Sequence, residues 1–224
     1  MKLALLLSGG KDSVYAGYIA KTKYKQNIVC AISIASKNKN SYMFHTPSIS
    51  KVKFQADSMN LPLIIQETSG KKESELKDLE KAIYEAKSKY NIEGVITGAI
   101  QSVYQSSRIQ KICNKLKLEV FNPLWQTDET EYLNDLIKNN FKVILTGVFA
   151  FPLGKSWLGR EINKDFIKDI KEMNKKYKIS MIGEGGEFET FVLNCPLFKR
   201  ELVVKSYDDI SEGENSWRRE VEIG

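Results

Sequence analysis

The sequence predicts an α/β fold: a doubly wound parallel sheet followed by a smaller C-terminal α+β subdomain. Three observations predict it. Short runs that are apolar at every position recur from the first residues onward, as in strands buried on both faces. Segments with three-four apolar spacing separate them, as in helices that cover such a sheet. After about Phe151 this alternation stops, and β-like runs follow one another behind a single helix.

The first strand is expected at Leu3 to Leu7. The start Met1-Lys2-Leu3-Ala4-Leu5-Leu6-Leu7 imitates a secretory leader, but its apolar run ends after five residues and Lys11 and Asp12 follow, so a buried strand is the better reading. Ile28 to Ile34, Leu63 to Gln66, Gly94 to Thr97, Glu119 to Phe121 and Lys142 to Phe149 continue the parallel sheet. Helical spacing links Leu76, Leu79, Ile83, Ala86 and Tyr90, then Ile109, Ile112, Cys113 and Leu116, then Tyr132, Leu133, Leu136 and Ile137. Asp128, three residues before Glu131, has the form of a capping box that opens the last of these. Beyond Phe151, Ile162, Phe166, Ile170, Met173 and Tyr177 mark one helix. Thr190 to Leu193, Glu201 to Ser206 and Trp217 to Ile223 then suggest antiparallel strands. The boundary is drawn at 1–150 and 151–224, softly enough for the two parts to share a core.

Composition narrows the class. The chain has 224 residues, 42% hydrophobic and 28% charged, which is ordinary for a globular protein large enough to bury a core. No stretch approaches the roughly 18 apolar residues of a membrane span. The three cysteines, Cys30, Cys113 and Cys195, are far apart, without a Cys-x-x-Cys pair and with a single histidine, so a reducing, cytoplasmic setting without a structural zinc or sulfur relay is expected. The net charge of +6 comes from lysines spread along the whole chain, a pattern that fits a solvated surface better than a nucleic-acid arm. The chain is compatible with a homo-oligomer.

The chemistry concentrates in Ser8-Gly9-Gly10-Lys11-Asp12-Ser13, between the first strand and the first helix. Glycines there let the backbone approach a ligand, and a helix entrance presents free N–H groups to an anion. A kinase-type loop would need a further glycine inside the strand and a hydroxyl where Asp12 stands. The dinucleotide fingerprint fails on its glycine spacing, and Ala35 to Asn40 lacks the ribose-binding carboxylate. A second polar cluster, Glu184-Gly185-Gly186-Glu187-Phe188-Glu189-Thr190, puts three carboxylates beside two glycines at the start of a strand, with Glu187 and Glu189 on one face and Phe188 on the other. A tight turn in the first case and a solvent-exposed acidic turn in the second are the plain structural alternatives.

The first motif resembles the Ser-Gly-Gly-x-Asp-Ser loop of the ATP pyrophosphatases, or PP-loop enzymes, which have a Rossmann-like sheet and cleave ATP between its α and β phosphates. Ser41 to His45, Gly98-Ala99-Ile100 with Tyr104-Gln105 and Arg108, and Pro123-Leu124-Trp125-Gln126 resemble successive blocks of the diphthine–ammonia ligases, and the acidic cluster resembles their Glu-Gly-Gly-Glu-aromatic-Glu-Thr signature. The likeness runs from Lys2 to about Leu197. Departures fall at Val103, where relatives often carry an acidic residue, and at Ser106, where they often carry a basic one. The resemblance implies ATP-dependent amidation of diphthine, on translation elongation factor 2, with ammonium, through an acyl-adenylate and with release of AMP and pyrophosphate.

On that resemblance ATP is held by Ser8, Gly9, Gly10, Lys11, Asp12, Ser13, Gly98, Ala99 and Arg108. The acceptor is received by His45, Tyr104, Gln105, Trp125, Glu187, Phe188, Glu189 and Thr190. Lys11, Asp12, Glu184 and Glu187 are the catalytic candidates. Carboxylates beside an aromatic face suit a quaternary ammonium group. Glu184 and Glu187 could equally hold magnesium or guide ammonium; no direct metal motif exists, and magnesium is expected only as the companion of ATP. His45 and Trp125 could equally be packing residues, a buried core position being the more ordinary state of Trp125 and of Trp157 alike. Two other functions remain open: a related ATP pyrophosphatase that adenylates another acceptor such as a tRNA base, and an ATP-binding module without turnover. Paired cysteines and a basic arm, which tRNA chemistry would call for, are missing, and a mere sensor needs no second polar cluster.

Overall fold

The computed structural model describes residues 1–36, 51–69 and 72–224. Ser41 to His45 lie outside them. β1 (Lys2–Leu6) is flanked by β2 (Asn27–Ser36) and β4 (Gly94–Ile96); β3 (Leu63–Thr68) joins β2, and β5 (Glu119–Phe121) joins β4. Every pair is parallel, in the order β3-β2-β1-β4-β5. The chain thus winds outward from β1 to one edge and returns to wind toward the other. Helices α1 (Lys11–Thr22), α2 (Val52–Met59), α3 (Lys72–Tyr90) and α4 (Val103–Lys115) make the connections. The continuous apolar runs follow from this double cover. Leu3 and Leu5 pack with Val14 and Ala16 of α1 in one buried cluster, while Ala4, Cys30 and Ile32 pack with Leu79, Ile83 and Ala86 of α3 in another.

The strand expected at Lys142 to Phe149 does form, as β6 (Lys142–Val148), but not in the parallel sheet. It lies inside a second sheet, ordered β7-β6-β9-β8, with β7 (Phe188–Asn194), β8 (Val204–Gly213) and β9 (Ser216–Ile223), all antiparallel. The reason for the misplacement is physical: Val143 to Val148 are all buried, so the strand has no alternation from which its direction could be read. Of the last two helices, α5 (Glu129–Lys138) starts at the expected place, and α6 (Lys164–Tyr177) covers the expected spacing except Ile162, which precedes its Asn163 cap. Asp128 caps α5 by accepting the Thr130 and Glu131 amides, each at 2.9 Å.

The sheets share a core. Leu3 and Leu5 of the first, with Leu7 just after β1, belong to the same buried cluster as Tyr132 and Leu133 of α5, Val143 and Leu145 of β6, Phe166 of α6 and Phe188 and Val192 of β7. No helix among the described residues is long and apolar enough to cross a membrane.

Candidate active site

After β1 the chain turns through Leu7 to Gly10 into α1. Gly9 sits at φ +91°, where an L side chain is strained, and its carbonyl accepts Val192 N at 3.1 Å and Gln55 Nε2 at 3.0 Å. Gln55, fully buried on α2, also reaches the Val192 carbonyl at 2.8 Å, so β7 and α2 fix the turn together. Inside it, the Ser13 hydroxyl accepts from Ser8 N at 3.2 Å and donates to the Gly10 carbonyl at 3.1 Å, and the Ser8 hydroxyl lies 3.1 Å from it. Gly10 occupies the cap position of α1 and brings no side chain to the first-turn amides, which suits them to a phosphate.

β1 and β4 are neighbours whose connections leave toward opposite edges, and the crevice at their carboxyl ends is where such sheets take ligands. Gly98 stands in that crevice. A Cβ there would fall 2.6 Å from the Asp12 carbonyl carbon and 2.7 Å from Ser13 N, so only glycine permits the two loops to touch. Ala99 is held by its amide, 3.2 Å from the Thr97 hydroxyl.

Lys11 is 3% exposed, and its ammonium is 2.6 Å from the Ile182 carbonyl and 3.1 Å from the Asp12 carboxylate. The rings of Phe188 and Tyr132 lie 5.6 and 6.0 Å from it, near enough for their faces to favour the cation. The fully buried Tyr132 donates its hydroxyl to Asp12 at 2.8 Å. Burial, with Asp12 close by, pushes this phenol well up, so it remains a donor. The Lys11 amide donates to the Thr190 hydroxyl at 3.1 Å. A lysine buried this far needs such partners; an uncompensated ammonium would cost several kcal/mol.

The acidic segment folds as a tight loop from Ser180 to Glu187. The Ser180 hydroxyl donates to Glu129 at 3.0 Å and accepts the Ile182 and Glu184 amides at 3.3 and 3.2 Å. The other Glu129 oxygen accepts Met181 N at 2.9 Å. Glu187 turns back onto its own loop and accepts Ser180 N at 2.9 Å, while its carbonyl accepts Phe149 N at 2.8 Å. Glu184 is half-buried; burial first, and Asp12 second, push its carboxyl above the usual carboxylate range, against the pull of Lys11 and the Gln101 amide.

The structure therefore brings Lys11, Asp12, Gly98, Glu184, Phe188 and Thr190 to one place, with Ser8 to Ser13 as its floor. Glu187 shapes the loop, and Glu189 is half-buried on β7 beside Gly147 of β6. Tyr104, Gln105 and Arg108 are on α4, where the Arg108 guanidinium stacks 3.3 Å from the centre of the Tyr104 ring and Gln105 N caps onto the Ser102 hydroxyl. Trp157 is buried against Phe166, but Trp125, next to the left-handed Gln126, is exposed rather than a core residue. All three cysteines are buried free thiols pushed up to about 12 by desolvation, as inert core groups should be. Among the described residues no group of three or more His, Cys, Asp or Glu could hold a metal ion.

Sequence reasoning missed Tyr132, Glu129, Ser180 and Gln55. Tyr132 did carry a signal, a hydroxyl on an otherwise apolar helix face; Ser180 and Gln55 carry none.

Residues 1–120 match the family model described as the diphthamide synthase N-terminal domain, and residues 128–223 match the diphthamide synthase C-terminal domain. The chain is 33% identical over 230 residues to the diphthine–ammonia ligase of Mus musculus, an alignment covering 94% of this chain and 85% of that protein. With the diphthine–ammonia ligase of Bos taurus the identity is 31%, covering 97% and 88%. Among solved structures, the predicted subunit of tRNA methyltransferase from Methanocaldococcus jannaschii aligns with 88% of this chain and 98% of its own at a TM-score of 0.42 and 16% identity.

Proposed function

Because the chain belongs to the diphthamide synthase family, whose curated relatives are carbon–nitrogen ligases, we propose that it amidates diphthine on translation elongation factor 2 with ammonium. ATP activates the diphthine carboxylate as an acyl-adenylate with loss of pyrophosphate, and ammonia then displaces AMP. The reaction belongs to the cytoplasm, where elongation factor works. The single observation that carries the reading is the bond from Lys11 to the Ile182 carbonyl, which joins a phosphate-type loop to a carboxylate-rich loop.

The residues fit ATP. The glycine turn and the α1 entrance, where Gly10 brings no capping side chain, suit a phosphate, and the close contact of Gly98 with Asp12 and Ser13 fixes the neighbouring loop against them. Lys11 supplies fixed positive charge where negative charge leaves as pyrophosphate, and Ser8 and Ser13 supply hydroxyls. For magnesium the protein's own donor set does not fit, since Asp12 is already engaged by Lys11 and Tyr132; no step is assigned to the ion, which ATP phosphates would bring with them. The carboxylates of the acidic loop suit the cationic end of diphthine by charge, whereas Phe188, buried in the core with its ring toward the Lys11 ammonium, is a packing residue and not the aromatic receptor expected from the motif. Glu184, with its raised carboxyl, suits the removal of a proton from ammonium beside the activated carbonyl.

The test mixes purified protein, ATP, magnesium and ammonium with elongation factor 2 arrested at diphthine. Mass spectrometry should show the carboxyl become an amide while AMP and pyrophosphate accumulate. ADP and phosphate as products, or an unmodified factor, would refute it.

A further inference from the structure

Helix α5 touches both halves of the site with one face. Glu129 and Tyr132 are three residues apart and so project to the same side. Glu129 grips the acidic loop through two different groups, the Ser180 hydroxyl at 3.0 Å and the Met181 amide at 2.9 Å. Tyr132 grips the phosphate loop through Asp12 at 2.8 Å. Between these holds Lys11 runs from Asp12 to the Ile182 carbonyl, one residue beyond Met181. The four groups close a ring: α5, the acidic loop, Lys11, Asp12 and back to α5.

The geometry points to Glu129 and Tyr132 as positioning residues that set the register between the ATP-binding loop and the acidic loop. The inference rests on the ligase reading for its meaning, since register matters when an activated carboxylate on one loop must meet a nucleophile guided by the other. A small error is enough, because displacement needs the reacting atoms within about 3 to 3.5 Å. Neither residue needs to touch a substrate. Glu129 acts through Ser180, whose hydroxyl in turn orders the Ile182 and Glu184 amides, and Tyr132 acts through Asp12.

The two holds should fail differently. Tyr132→Phe removes one hydroxyl from a buried site and keeps its shape, so Asp12 and Lys11 lose their orientation toward the phosphates. AMP formation should fall by about tenfold or more while KM for ATP stays within about threefold, the split expected for an interaction used in the transition state. Glu129→Gln takes one acceptor from the pair that fastens the acidic loop. AMP formation should stay within about threefold, but the amide formed per AMP released should fall by about tenfold as water intercepts the adenylate. Ser180→Ala, which removes the same fastening from the other side, should reproduce the Glu129→Gln pattern.

Hydrogen exchange supplies a readout that does not depend on turnover. In Glu129→Gln the amides of Met181 and Glu184 should exchange several-fold faster while those of the parallel sheet do not change. If the wild-type chain forms no amide, the ligase reading fails, and the exchange experiment still decides the positioning role. Unchanged exchange at Met181 and Glu184 would overturn that role, as would a parallel loss of ATP affinity, AMP formation and melting temperature in all three variants, which would mark the residues as general supports of the fold.

Discussion

Three single residues carry the argument at the smallest scale. Lys11→Met keeps the buried stem of the side chain and removes its charge; if Lys11 stabilises departing pyrophosphate, AMP formation should lose about 2 to 4 kcal/mol of transition-state stabilisation, the range for one positioned electrostatic contact. Unchanged kcat would reduce Lys11 to a link between loops. Gly98→Ala asks for space that Asp12 and Ser13 occupy with backbone atoms, so the two loops must part. It should destabilise the fold by about 1 to 3 kcal/mol and weaken ATP binding, both readable by thermal melting with and without nucleotide. Glu184 makes a pH prediction. Its carboxyl is raised in the folded chain, so its contribution to stability is largest below the ordinary carboxylate range and is lost as pH rises through the raised value. Glu184→Gln should therefore be stabilising relative to wild type at neutral pH and lose that advantage in acid. In the same variant the acidic limb of the amidation profile should flatten, because the group that must be ionised to take a proton is gone. A limb that persists would place the base elsewhere.

At the scale of elements, α5 shows what could be read in advance and what could not. Its start was legible because a cap is local chemistry: Asp128 needs only amides two and three residues ahead. Asp128→Ala should cost about 1 kcal/mol, measured by denaturant titration, and should also loosen Glu129, one residue along. The turn from Ser8 to Ser13 was legible for the same reason, since Ser8, Gly10 and Ser13 bond to one another, but the reach of Lys11 to Ile182, 171 residues away, was not. The role of Tyr132 was not, because a tyrosine at core spacing is the same letter whether its hydroxyl meets water or Asp12, 120 residues away. Nor was the sheet to which β6 belongs: its burial erases the alternation that would have separated an antiparallel strand from a parallel one. Ser180 collects hydrogen bonds only because the loop is already folded around it. Trp125 fell outside the core because the left-handed Gln126 beside it, whose amide is tied to the Ile100 carbonyl, bends the chain at the surface.

For the whole molecule, the shared core matters more than any boundary. β6 has partners on both sides, β7 and β9, and each lies beyond residue 187 in the chain. A fragment ending at residue 150 would keep β6 and lose both, leaving a largely apolar strand with open edges. It should aggregate or remain unfolded, whereas the full chain should melt in one transition with coincident signals from helix content and tryptophan fluorescence. Two separated transitions in the full chain would show that the sheets are independent. The hold of β7 on Gly9 has a consequence for how the protein is made. Ser8 to Ser13 are synthesised well before Thr190 and Val192, which fix that loop. A nascent chain that has not yet reached Val192 would display this motif without the brace that shapes it, so nucleotide activation would be withheld until β7 has been made.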